Sequence, residues 1–232
     1  MTKAIVFDFD GVIVHSEPLH HRAFLQVAQR FEVDFDYDQY LRHYVGFDDR
    51  DGFRAMLARA PHPERYPSDD DAFVARLCQE KAEAFESMVT AGIEPVPGIL
   101  EFIGRVAEQK MPMAIASGAT RRDIHLMLNK LGLTQCFGPI VTADDVRQSK
   151  PDPTTYQLAV VGLAKHRPEL AIAPSDCLAI EDTPAGITAA RDAGLMTLGL
   201  TTTYERGPLH EADRIICSVE GLDIRQLHEW FG

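Results

Sequence analysis

The sequence predicts an α/β protein, a doubly wound parallel sheet with an α-helical domain inserted after its first strand, and three observations lead there. An apolar run, Ala4-Ile5-Val6-Phe7, ends abruptly in Asp8-Phe9-Asp10-Gly11-Val12. From about Pro18 to Val89 the apolar residues then recur at helical spacing. Beyond Gly98, short apolar runs alternate with helical segments, the pattern of a parallel sheet covered on both faces.

In the first run, residues two apart on a strand point to one side, so Asp8 and Asp10 reach into one pocket. Like charges that close resist joint ionisation. Such a pair binds a hard, oxygen-seeking cation such as Mg2+, or divides into a nucleophile and a proton carrier, or does both. In the inserted region, Phe24, Leu25, Val27, Ala28 and Phe31 stripe one helix, Phe53, Met56 and Leu57 a shorter one, and Phe73, Leu77, Phe85, Met88 and Val89 a long one. Pro61, Pro63 and Pro67 punctuate the gap before the last, and 91–98 reads as the return linker. The expected domains are therefore a core of residues 1–14 and 92–232 and a helical insert of 15–91. Ligands of open α/β sheets bind at the carboxyl ends of the strands, so the insert is expected there. The remaining strands are Met113–Ala116, Ile140–Thr142, Cys177–Ile180, Met196–Leu200 and Ile215–Cys217.

Bulk properties exclude several classes of function. The 232 residues suffice for a full core, and a formal charge of -12 disfavours non-specific attraction to nucleic acid or anionic membrane. Cys78, Cys136, Cys177 and Cys217 are scattered, with neither a CxxC pair nor a histidine at zinc-finger spacing, which fits a reduced cytoplasm better than a disulfide framework. No apolar run approaches membrane-spanning length, and the first strand begins too near Met1 to leave room for a signal sequence. The expectation is a soluble cytoplasmic protein with no obligate protein partner.

Four strand ends carry polar groups. Besides Asp8 with Asp10, Ser117-Gly118-Ala119-Thr120 stands between a strand and a helix start, where a hydroxyl, a glycine and free N–H donors suit an anion. Alone, it would be a plain helix cap. Lys150, in Ser149-Lys150-Pro151-Asp152-Pro153, is held ahead of a proline-initiated helix, and Glu181-Asp182 precedes one begun by Thr183-Pro184. Each has an ordinary explanation in isolation, a solvated lysine or acids facing a helix dipole. Gathered at one edge they balance: three or four carboxylates and a phosphate dianion would repel unless a divalent cation and Lys150 offset them.

This ordered set, DxDGV, a serine after a strand, lysine in KPxP, then Glu-Asp, resembles the haloacid dehalogenase-like hydrolase superfamily over nearly the whole chain. Ser16-Glu17-Pro18-Leu19-His20 with Arg22-Ala23-Phe24 resembles its β-phosphoglucomutase and sugar-phosphate phosphatase branch, whose helical cap follows the first motif. The resemblance implies that Asp8 is the nucleophile that becomes an aspartyl phosphate. It implies that Asp10 protonates the leaving oxygen and ligates Mg2+ through its carbonyl, and that Asp8, Asp182 and Glu181, the last directly or through water, hold the metal. Ser117, Gly118 and Lys150 would hold the phosphoryl group, and His20 and Lys81 would face it from the cap. Asp10 argues for phosphoryl transfer over dehalogenation, because a departing halide needs no proton. The expected activity is a Mg2+-dependent phosphatase acting on a small phosphorylated metabolite such as a sugar phosphate, with a phosphosugar mutase as the alternative. The mutase pattern departs at Tyr44-Val45-Gly46, where Val45 replaces a lysine and Arg50 is displaced by one position, and His15 replaces a hinge aspartate.

Overall fold

A computed structural model describes residues 2–44 and 49–232. By contacts the chain divides into two compact units, Met1–His15 with Glu94–Gly232, and Ser16–Ile93.

The first unit is built on a six-stranded parallel sheet. Its strands are β1 (Ala4–Phe7), β2 (Met113–Ala116), β3 (Ile140–Val141), β4 (Cys177–Glu181), β5 (Met196–Leu200) and β6 (Arg214–Ile216), in the spatial order β3-β2-β1-β4-β5-β6. The helices of this unit are α5 (Ile99–Glu108), α6 (Arg121–Leu131), α7 (Thr154–His166) and α8 (Pro184–Asp192) between strands, and α9 (Ile224–Phe231) after β6. β1 lies at the centre, between β2 and β4, with all four residues fully buried and Phe7 in register with Ile115 and Ile180. The chain winds from β1 first to one side and later to the other, so the switch in direction lies between β1 and β4, where open α/β sheets form their ligand crevices. Phe7 anchors one face through edge-on contacts with Phe102 (6.2 Å) and Phe137 (5.7 Å). The other face packs Val6, Ala114 and Ala179 against Tyr156, Ala159, Val160 and Leu163, the inner stripe of α7.

Three strands differ slightly from the sequence pattern, β4 by running one residue further, to Glu181. β3 stops at Val141 because the backbone N–H and hydroxyl of Thr142 both donate to Asp145 Oδ2, which turns the chain into a 3-10 helix. β6 begins one residue early, at Arg214.

The second unit holds α1 (Glu17–Ala28), α2 (Tyr37–His43), α3 (Asp49–Leu57) and α4 (Asp71–Ala91). Its core is aromatic: Phe24 stacks on Phe53 at 4.5 Å and leans on Tyr44 and Phe35. The apolar spacing of the sequence does not mark α2, which buries only Tyr40 and is set by a capping box, Asp36 with Gln39. On α4 the buried stripe runs through Val74, Leu77, Lys81, Ala84, Phe85 and Val89, while Phe73 and Met88, expected on it, are half-buried. Of the departures from the mutase pattern, Val45 lies outside the described residues, and Arg50 lies in the first turn of α3.

Phe7→Ala should destabilise the first unit by about 3–5 kcal/mol, the cost of emptying a large buried aromatic site. Equilibrium unfolding in urea checks this; a loss under about 1 kcal/mol would mean that the ring contacts with Phe102 and Phe137 contribute little.

Candidate active site

The backbone N–H of Asp8 donates to Ile180 O (3.0 Å), carrying the β1–β4 ladder one step past β1 and setting Asp8 beside the end of β4. The chain then turns: Gly11 N–H donates to Val14 O (2.7 Å), and Ile13 N–H to Phe9 O (2.8 Å). Gly11 adopts φ 77°, and a Cβ there would fall 1.9 Å from Asp182 Oδ2 and 2.8 Å from Thr203 Oγ1. Both the left-handed turn and the close approach of a carboxylate therefore require glycine. The Thr202 hydroxyl donates to Gly11 O and ties the turn to the end of β5.

The sheet edge gathers four of the polar groups seen in the sequence. Asp8, Glu181 and Asp182 are buried, and each offers a carboxylate oxygen within 4.8 Å of the others. Lys150 Nζ donates to Asp8 Oδ1 and to Glu181 Oε1, both at 2.5 Å. Ser117 is buried just past β2, and its Oγ accepts the Ala119 N–H (3.0 Å), closing the turn that Thr120 continues by capping α6. Gly118 is exposed, and a Cβ there would meet nothing within 4 Å, so open space borders this turn. Asp10 is half-buried and close enough to Asp182 to raise its pKa, but its side chain lies outside the three-carboxylate cluster.

Too many buried negative charges share too few positive ones. Burial, reinforced by Glu181 and Asp182, pushes the Asp8 carboxyl well above the usual carboxylate range despite Lys150. Burial and Glu181 push Asp182 up to about 7, opposed by a hydrogen bond from Thr203. Burial disfavours the Lys150 ammonium, but Asp8 and Glu181 outweigh it and raise the pKa above that of a free lysine. Asp182 Oδ1 is buried with no hydrogen-bond partner. A carboxylate with an orphaned oxygen, clustered with two further carboxylates, fits an oxygen-seeking divalent cation, for which Asp8, Glu181 and Asp182 would be the holders.

Sequence reasoning overlooked Tyr156 and Gly186 as supporting residues, and saw Thr183 only as a helix start. Tyr156 sits at an inward position of α7, where it reads as core packing, yet its hydroxyl donates to Glu181 Oε1 (2.8 Å). Thr183 caps α8 and donates to Glu181 Oε2 (3.1 Å). Gly186, in the first turn of α8, leaves room for Glu181, whose Oε1 would stand 1.8 Å from a Cβ there.

His20 and Lys81 belong to the second unit and form a cluster there. Lys81, buried on α4, donates to Asp49 Oδ1 (2.7 Å) and to His20 Nδ1 (3.2 Å), and the His20 ring stacks on Phe85 at 4.1 Å. Burial and the lysine push the His20 pKa down to about 3, so the imidazole is neutral at pH 7 and Nδ1 is the acceptor. No helix among the described residues is long and apolar enough to cross a membrane.

Residues 5–200 match the sequence profile of the haloacid dehalogenase-like hydrolases. The chain is 31% identical over 216 residues to the validoxylamine A 7'-phosphate phosphatase of Streptomyces hygroscopicus subsp. limoneus, spanning 93% of each protein. It is 26% identical over 230 residues to the β-phosphoglucomutase of Bacillus subtilis, spanning 98% of this chain and 94% of that one. The crystal structure of CbbY from Rhodobacter sphaeroides in complex with phosphate superposes with a TM-score of 0.76 at 27% identity, over 96% of each chain. With the four motifs ranged along one sheet edge and the profile spanning both units, the chain belongs to the haloacid dehalogenase-like hydrolase family.

Proposed function

We propose that this protein is a Mg2+-dependent phosphatase that hydrolyses a small phosphorylated metabolite, of the sugar-phosphate class, through an aspartyl-phosphate intermediate. The observation that carries the reading is the shared ammonium of Lys150, 2.5 Å from Asp8 and 2.5 Å from Glu181, beside a buried carboxylate oxygen that has no partner. That oxygen belongs to Asp182, beside the salt bridge, and a buried carboxylate oxygen without a donor is costly unless a bound cation meets it. The phosphatase named among the relatives supports the same class of chemistry.

In this reading an Asp8 carboxylate oxygen attacks phosphorus in line, forming a P–O bond to Asp8 as the ester P–O bond breaks. The electron pair of the broken bond leaves on the substrate oxygen, which takes the proton of Asp10. Asp10, now a carboxylate, withdraws a proton from a water that attacks the phosphorus of the aspartyl phosphate, releasing phosphate and restoring Asp8. Lys150 offsets charge on the phosphoryl oxygens while the Ser117–Gly118 turn positions them. A bound divalent cation would supply further electrostatic stabilisation of the phosphoryl charge. His20 and Lys81 are assigned to substrate selection.

The alternative, a phosphosugar mutase, is favoured by the likeness to a β-phosphoglucomutase, and differs in that a sugar hydroxyl replaces water as the acceptor. Incubation with β-glucose 1-phosphate and added glucose 1,6-bisphosphate separates the two. Release of inorganic phosphate supports the phosphatase, and formation of glucose 6-phosphate without net release supports the mutase.

Asp8→Asn should keep the fold and lower phosphate release at least a thousandfold, since volume is conserved and the nucleophile is lost; activity within tenfold of wild type in a folded variant would reject the covalent route. EDTA should stop turnover and Mg2+ restore it, and full activity in metal-free buffer would contradict the cation assignment. Alanine at His20 or Lys81 should reorder a panel of phosphorylated metabolites while leaving hydrolysis of a minimal aryl phosphate within about threefold of wild type. Equal losses on every ester would instead make the pair part of the chemistry.

A further inference from the structure

Donors surround the Glu181 carboxylate. Oε2 accepts the N–H of Asp182 (3.1 Å), the N–H of Thr183 (3.2 Å) and the Thr183 hydroxyl (3.1 Å). Oε1 accepts from Lys150 Nζ (2.5 Å) and from the hydroxyl of Tyr156 (2.8 Å). Tyr156 is fully buried in the first turn of α7, its ring centroid 5.0 Å from Lys150 Nζ and its hydroxyl 3.5 Å from the same nitrogen. Phenylalanine would pack the same space and give the same ring to the ammonium. The phenol therefore brings what packing does not require, a hydroxyl that accepts weakly from Lys150 Nζ at 3.5 Å and donates at 2.8 Å to the carboxylate oxygen that also holds Lys150.

That oxygen presents a conflict. At low dielectric, two carboxylates drawing on one ammonium compete strongly with any phosphoryl oxygen that needs it. A second donor on Glu181 Oε1 takes up part of the oxygen's accepting capacity and fixes the carboxylate plane, so that Nζ is shared and not captured. We propose that Tyr156 is a positioning residue for Lys150: its hydroxyl pins Glu181 Oε1 and thereby keeps the ammonium available to an oxyanion. The inference rests on the phosphate-holding role assigned to Lys150 above.

Tyr156→Phe removes the donor and keeps the ring. In the Mg2+-loaded variant, affinity for inorganic phosphate, read by titration calorimetry, should fall about tenfold, the effect of losing one hydrogen bond to a charged group. KM for an aryl phosphate should rise by the same factor, with kcat within about threefold of wild type. Unchanged phosphate affinity and KM in a folded variant would overturn the proposal. If Tyr156→Phe does not fold, the wild-type protein carrying 13Cζ-tyrosine decides: the Tyr156 resonance should shift as phosphate saturates the site, and a resonance that stays fixed would overturn the proposal equally. A wild-type protein that neither binds phosphate nor hydrolyses any ester would overturn the function proposed above and this inference with it. Normal wild-type binding with an unaltered variant would overturn this inference alone.

Discussion

Among the described residues, Lys150 is the cation bonded to the buried carboxylates of Asp8 and Glu181, and the sheet edge is arranged around its need for partners and theirs for it. Its ammonium joins residues from three distant parts of the chain: its own loop before α7, Asp8 past β1 and Glu181 at the end of β4. Taking those carboxylates out of water is costly, and removing the lysine would leave the cost without compensation. The neighbouring features serve the same balance. Backbone N–H groups and the Thr183 hydroxyl occupy one oxygen of Glu181, Thr203 supports Asp182, and two glycines keep Cβ atoms out of the space those carboxylates fill.

Much of this was legible because strand ends impose simple geometry. The run Ala4–Phe7 followed by two aspartates and a glycine specified a buried strand, a turn and a shared pocket, since period-two alternation leaves few alternatives. The groups at Ser117, Lys150 and Glu181-Asp182 could be gathered because a parallel sheet aligns all its carboxyl ends on one edge. The supporting residues were not legible. Tyr156 occupies a core position on α7, and nothing in apolar spacing distinguishes a ring that only packs from one whose hydroxyl holds a carboxylate. Thr203 bonds to Asp182 across a separation that local pattern cannot bridge.

In the second unit the limit was different. The long helices were marked by their stripes, whereas α2 is held by a polar cap and a single buried tyrosine, so its signal lies in Asp36 and Gln39 and not in periodicity. Lys81 illustrates the reverse case. It interrupts a buried apolar stripe, and its ammonium donates there to Asp49 Oδ1 and to Nδ1 of the neutral His20.

The central place of β1 in the sheet also sets an order for synthesis. Ala4 pairs with Cys177 and Ile5 with Met113, so β1 gains its second neighbour only once β4, far along the chain, has been made. At ~5–20 residues per second that interval is on the order of ten to thirty seconds. The unit spanning Ser16–Ile93 completes its own contacts well before then, because its helices are close in sequence. Until then the four apolar residues of β1 lack the partner strand that buries them in the finished sheet.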